Sequence, residues 1–138
     1  MNKMTWVTTL MRVVLGIIFL VHGISKFQMG LGNVEAWFSS LGVPAFMAYV
    51  AAILELAGGI LLIIGLGTRV VSILFALMMV GAIVTVKWPA GLIGSDQMPG
   101  YELDLGLFLI ALYLSVSEST ALSLDRVFLK KRNPSTNL

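Results

Sequence analysis

The sequence contains no cysteine, which excludes disulfides, thiolate metal sites and dithiol redox chemistry within this chain. It holds a single histidine, His22, a poor basis for a metal site or a bis-histidine haem. Charge is scarce: only 12% of residues are Asp, Glu, Lys or Arg, against about 25% in an ordinary soluble domain. No glycine-rich phosphate loop, flavin or nicotinamide fingerprint, zinc-ligand spacing or nucleic-acid motif is present, so nucleic acid is not an expected partner and no metal is expected. What the chain has in abundance is apolar surface. Of its 138 residues 58% are hydrophobic, and the mean hydropathy is +0.96. That composition belongs to a protein of the lipid bilayer, and the length suits one compact unit.

Four apolar stretches define the expected architecture, an all-α polytopic membrane protein built as a four-transmembrane-helix bundle. The spans cover about residues 6–27, 44–66, 70–86 and 102–117, each bounded by glycine, proline or charge. A basic start followed by an apolar run resembles a secretory signal, but no small-residue cleavage site comes after it and the run is long enough to cross the membrane. Residues 29–43 read as a loop or short interfacial helix. There Glu35, Trp37 and Phe38 fit an aromatic belt, and a role in lining a site is as good a reading as a plain connector. Residues 1–125 form the expected single domain, and residues 126–138 a basic, disordered tail. Phe75, Met78 and Met79 in the third span read as packing.

Basic residues set the expected orientation. Arg126, Lys130, Lys131 and Arg132 crowd the tail, Lys3 precedes the first span, and Arg69 sits between spans two and three. The positive-inside rule puts both termini and the Arg69 loop in the cytoplasm. His22, Lys26, Lys87, Glu102 and Asp104 then lie toward the outer end, with Glu55 near the midplane and Arg12 in the inner half.

The ionisable residues inside the spans carry the functional expectation. At 100° per residue, Arg12, Gly16, Phe19, Gly23 and Lys26 fall in a stripe roughly 80° wide, with His22 at its edge. That side faces protein, and the glycines let another helix come close. A charge at the bilayer centre costs about 2.5–3.5 kcal/mol even on the lenient insertion scale. Arg12 and Glu55 are therefore expected to face inward and be paired, or Glu55 to be protonated; an Arg12–Glu55 pair would satisfy both. Such a pair could be wholly structural. A hydrated cluster of His22, Lys26, Glu55 and Glu102 could instead exchange protons, histidine being the side chain suited to that near neutral pH. Lys87, Asp96 and Asp104 read most simply as interfacial or solvated charges.

The series Arg12, Gly16, His22-Gly23 and Lys26, followed by Glu55-Leu-Ala-Gly-Gly-Ile-Leu-Leu-Ile-Ile-Gly-Leu-Gly-Thr-Arg69, resembles the DoxX family of small bacterial membrane proteins. The closing Ala121-Leu-Ser-Leu-Asp125 resembles that family's Ser-Leu-Asp ending, although Ser119-Thr-Ala121 replaces its usual Gly-x-Gly. The resemblance spans Arg12 to Asp125 and implies a four-helix bundle in the bacterial cytoplasmic membrane. It also implies an oxidoreductase or oxidoreductase subunit, linked to membrane quinone, in redox-stress or detoxification chemistry. Some relatives are membrane subunits of thiosulfate:quinone oxidoreductase. By position, the matching polar residues are Arg12, His22, Lys26, Glu55, Arg69 and Glu102. In that picture His22 and Glu55 are catalytic proton carriers, while Arg12, Lys26 and Glu102 bind substrate. With no flavin or nicotinamide motif in the chain, electrons come from a protein partner in a membrane redox complex or from a small substrate. The glycine faces also allow a homo-oligomer. The alternative is a non-catalytic scaffold that anchors a soluble redox enzyme through the basic tail. A small transporter is a weaker alternative, because paired broken helices are missing.

Overall fold

Helix α1, Lys3–Met29, begins where the Asn2 side chain accepts the Thr5 backbone N–H at 2.9 Å, and ends at Gly30, whose φ is 90°. The chain is seen here in a computed structural model that describes residues 2–117 and 123–132. The remaining helices are α2 (Leu31–Ser40), α3 (Met47–Ile64), α4 (Thr68–Ala82), α5 (Glu102–Val116) and α6 (Leu124–Arg132). Among the described residues there is no strand, only an isolated bridge between Gly94 and Pro99. The fold is all-α.

The first helix buries the stripe that its periodicity marks. Arg12, Leu15, Gly16, Phe19 and Gly23 are buried, while Ile17, Val21 and Ile24 face outward. Two glycine contacts bring α1 against α3. A Cβ on Gly16 would lie 2.8 Å from the Gly59 carbonyl oxygen, and one on Gly23 would lie 2.7 Å from the Leu56 nitrogen. Rising numbers on α1 meet falling numbers on α3, so the two helices run antiparallel at backbone contact. Helices α4 and α5 form a second pair. The Phe19 and Phe75 rings, stacked 3.8 Å apart at 14°, join the two pairs. Around them Leu15, Leu62, Leu107, Ala111 and Leu114 make the core. Both rings are buried, and their large apolar area adds to the core.

Helix α3 stops at Gly65, which takes the left-handed conformation (φ 74°), and Leu66 donates back to the Leu61 carbonyl at 2.9 Å. Gly67, also left-handed (φ 64°), starts α4 with no capping side chain of its own. Asp125 supplies the cap from 58 residues away, accepting the Gly67 N–H at 2.8 Å and the Thr68 N–H at 3.0 Å. Its own N–H donates to the Gly65 carbonyl at 2.9 Å. A carboxylate at a helix N-terminus meets both the orphan N–H groups and the positive end of the dipole.

Three stretches are long and apolar enough to cross a membrane: Lys3–Met29, Met47–Ile64 and Thr68–Ala90. Helix α5, with 15 residues, is about 22 Å long and shorter than a ~30 Å hydrocarbon core. Two other features differ from the sequence expectation, the end of the third stretch and the segment after Asp125. The third stretch is not one α-helix: α4 ends at Ala82 and continues as a π-helical turn, Ile83–Lys87, and a 3-10 turn, Trp88–Ala90. Residues 31–40 form a helix, one of the two readings open from the sequence, because Gly30 and the Gly42–Pro44 breakers fall on either side of it. The basic segment after Asp125 continues as helix α6 to Arg132. Residues 133–138 of the tail, and the Ser119–Ala121 departure from the family pattern, lie outside the described residues.

Candidate functional site

The two helix pairs do not close completely toward the end of the bundle that carries α2. They leave a cavity of about 520 Å³, within the roughly 300–1,000 Å³ of small-molecule sites. Phe19, Met79 and Leu107 line it from the core side, and Trp37 and Phe38 bring α2 to it. Its wall is apolar apart from a few side chains. On the α1–α3 side Lys26 Nζ donates to Glu55 Oε2 at 2.7 Å. On the α4–α5 side Lys87 Nζ lies 3.0 Å from Asp104 Oδ2. Both pairs and His22 border the same space.

Local structure explains how each side chain reaches it. The Gly23 contact places α1 level with Glu55 and Leu56, so a lysine one turn further along α1 can reach back to the carboxylate. His22 sits on the same turn, its Nδ1 2.8 Å from the Ile18 carbonyl. A carbonyl only accepts, so in this bond Nδ1 carries the hydrogen and Nε2 is the nitrogen left to take a proton. Lys87 stands at the end of the π-helical turn. A π turn bonds i to i+5 and so moves the residues after it out of α-helical register. Asp104 lies in the first turn of α5, on the face continued by Leu107, Ala111 and Leu114, all buried.

Of the residues picked from the sequence, His22, Lys26 and Glu55 come together at the cavity, and two others do not. Arg12 is at the other end of α1, fully buried, where its Nη2 reaches the Ile63 carbonyl at 3.4 Å and Asp125 provides a negative charge. The Arg12–Glu55 pair therefore does not form. The glycine register sets Glu55 opposite Gly23 and leaves Arg12 beside the C-terminal turn of α3, whose carbonyls favour a cation. Glu102 is exposed and does not line the cavity. Its backbone N–H donates to the Leu92 carbonyl at 3.0 Å. Arg69 donates from Nε to the Ser117 carbonyl at 3.1 Å, away from the cavity.

Lys87 and Asp104, read from the sequence as interfacial or solvated charges, instead form the second ion pair of the wall. Asp104 is buried, whereas Asp96 is exposed. Asp104, Leu107, Ala111 and Leu114 follow i, i+3, i+7, i+10, a stripe that the sequence carries beside an equally continuous one through Glu102, Leu109 and Tyr113. Among the described residues, no group of three or more His, Cys, Asp or Glu side chains could hold a metal ion.

An all-α protein of the membrane, with an apolar cavity walled by ion pairs between helices, is the class that this fold and site define. The chain belongs to the DoxX family, whose sequence model matches residues 7–88. A relative from Bacillus subtilis, named "Putative oxidoreductase CatD", is 48% identical over 127 residues, covering 91% of this chain and 90% of its own. The uncharacterized membrane protein Rv3486 of Mycobacterium tuberculosis is 34% identical, covering 87% of this chain and 80% of its own. The inner membrane protein YphA of Escherichia coli is 28% identical, covering 83% of this chain and 85% of its own. No solved structure matches the chain.

Proposed function

We propose that this protein is an oxidoreductase component of the bacterial cytoplasmic membrane that passes electrons to or from membrane quinone in redox-stress or detoxification chemistry. The observation that carries the reading is the hydrogen-bonded Lys26–Glu55 pair set in the wall of an apolar cavity within a membrane bundle. A quinone ring is flat and apolar, and its oxygens gain negative charge on reduction. Lys26 is assigned the role of stabilising that charge, and a water-poor wall strengthens the interaction. Quinone reduction takes two electrons and two protons. Glu55 and His22 are assigned the protons: Glu55 beside Lys26, His22 through Nε2. The electrons come from a protein partner or a small co-substrate. The name of the Bacillus subtilis relative supports this reading.

The proposed topology has four spans, with both termini and the Arg69 loop in the cytoplasm and the cavity opening toward the outer leaflet. The basic residues Arg126 and Lys131 of α6 and Arg69 stand at one end of the bundle and the cavity at the other, which supports it. The test is purification in mild detergent, with mass spectrometry of the small molecules retained by wild type, Glu55→Gln and His22→Ala. Quinone carried by wild type and depleted in both variants is the expected result. A protein partner retained without quinone, unaffected by either substitution, would replace this reading with the scaffold.

A further inference from the structure

We propose that the cavity recognises its ligand at two poles: a flat apolar ring with oxygens on opposite edges, one met by Lys26 and the other by Lys87 and Asp104. The inference rests on the quinone reading and adds the second pole. Each helix pair contributes one lysine and one acid to the same cavity. In both pairs the acid is the more buried partner: side-chain exposure is 7% for Glu55 against 17% for Lys26, and 9% for Asp104 against 21% for Lys87. The carboxylate thus anchors the ammonium from below, and an ammonium has three donors, of which one suffices for its acid.

The two poles differ. Lys26 is hydrogen-bonded to Glu55. Lys87 Nζ lies 3.0 Å from the buried Asp104 Oδ2, close enough for an ion pair but not aligned as a hydrogen bond. A carboxylate oxygen has more than one lone pair, so Oδ2 keeps acceptor capacity beside Lys87. A ligand hydroxyl would donate to Oδ2, and a ligand carbonyl oxygen would accept from Lys87. The second pole can therefore hold an oxygen in either its carbonyl or its hydroxyl form. It also stands where the α-helix gives way to the π turn, an irregularity found frequently at functional sites.

The test uses full-length protein in lipid nanodiscs and two probes of equal ring size, 1,4-naphthoquinone with two opposed oxygens and 1-tetralone with one. Calorimetric titration of wild type should favour the two-oxygen probe by about tenfold or more, the lower end of the worth of one hydrogen bond to a charged group. Lys87→Met should bring the two affinities to within about twofold while leaving 1-tetralone unchanged. Lys87→Met/Asp104→Leu, which leaves no orphan carboxylate, should do the same and guards against a folding defect in the single variant. Equal affinity of the two probes for wild type, or equal loss of both in the Lys87 variants, would overturn the second pole and leave the quinone reading standing. If wild type binds neither probe, the quinone reading fails and takes the second pole with it.

Discussion

Lys26 and Glu55 meet at 2.7 Å across the α1–α3 contact, a pairing decided by the register of two glycine contacts. Gly16 against Gly59 and Gly23 against Leu56 leave little freedom to slide. Any shift that brought Arg12 level with Glu55 would separate both contacts. Arg12 and Lys26 are 14 positions apart, about 21 Å along the helix, so one carboxylate cannot serve both.

Removing only one partner should therefore be costly. Lys26→Met leaves a buried carboxylate without its cation and should destabilise the bundle by about 3–5 kcal/mol. Lys26→Met/Glu55→Gln should recover most of that loss. Unfolding titrations of wild type, both single variants and the double variant measure the coupling directly; strict additivity would mean that the two side chains do not interact.

Close approach gives a second expectation. A side chain at Gly59 meets backbone atoms, the Gly16 carbonyl oxygen and the Leu20 nitrogen, both at 2.7 Å from the Cβ position. Backbone cannot rotate aside, so Gly59→Val should push α1 from α3 and cost about 1–3 kcal/mol. Gly106 has open space at its Cβ position, and Gly106→Ala should leave the thermal midpoint in detergent unchanged or slightly raised.

The cap supplied by Asp125 predicts an effect far from the cavity. Asp125→Ala removes two charge-assisted hydrogen bonds from the first turn of α4 and should cost about 1–2 kcal/mol. Asp125→Asn retains a side-chain acceptor for one of them and should cost less. Thermal unfolding in detergent orders the three proteins. Ligand binding should survive in both variants, because Asp125 does not line the cavity.

Orientation is checked by reporter fusions. An export-dependent reporter placed after Gln97 should be active and one placed after Arg69 silent, consistent with cytoplasmic termini. The reverse pattern would invert the bundle and put the cavity at the inner leaflet.

The lipid and protein faces of α1 were legible in the sequence because helical periodicity alone decides them. So was the turn at Gly65–Gly67, where two glycines take positive φ. The partner of Glu55 was not, since periodicity gives the face of a residue but not its level relative to another helix. Lys87 was hidden for a different reason: nothing local announces a π turn, and only that turn and the packing of α5 set the lysine against Asp104. On α5 the face through Glu102, Leu109 and Tyr113 is as continuous in the sequence as the one through Asp104, Leu107 and Ala111. The core lies on the second of these, a choice that an apolar helix in lipid leaves to packing.

The Asp125 cap also bears on how the protein is made. The N–H groups it receives belong to residues 67 and 68, and its own position is 58 and 57 residues later. A ribosome feeding this chain into the membrane completes α3, the turn and α4 well before the acceptor for that turn is synthesised. Until α5 and the start of α6 emerge, the first turn of α4 depends on water or lipid headgroups for its hydrogen bonds. That turn is therefore a latch that only the C-terminal side of the chain can close.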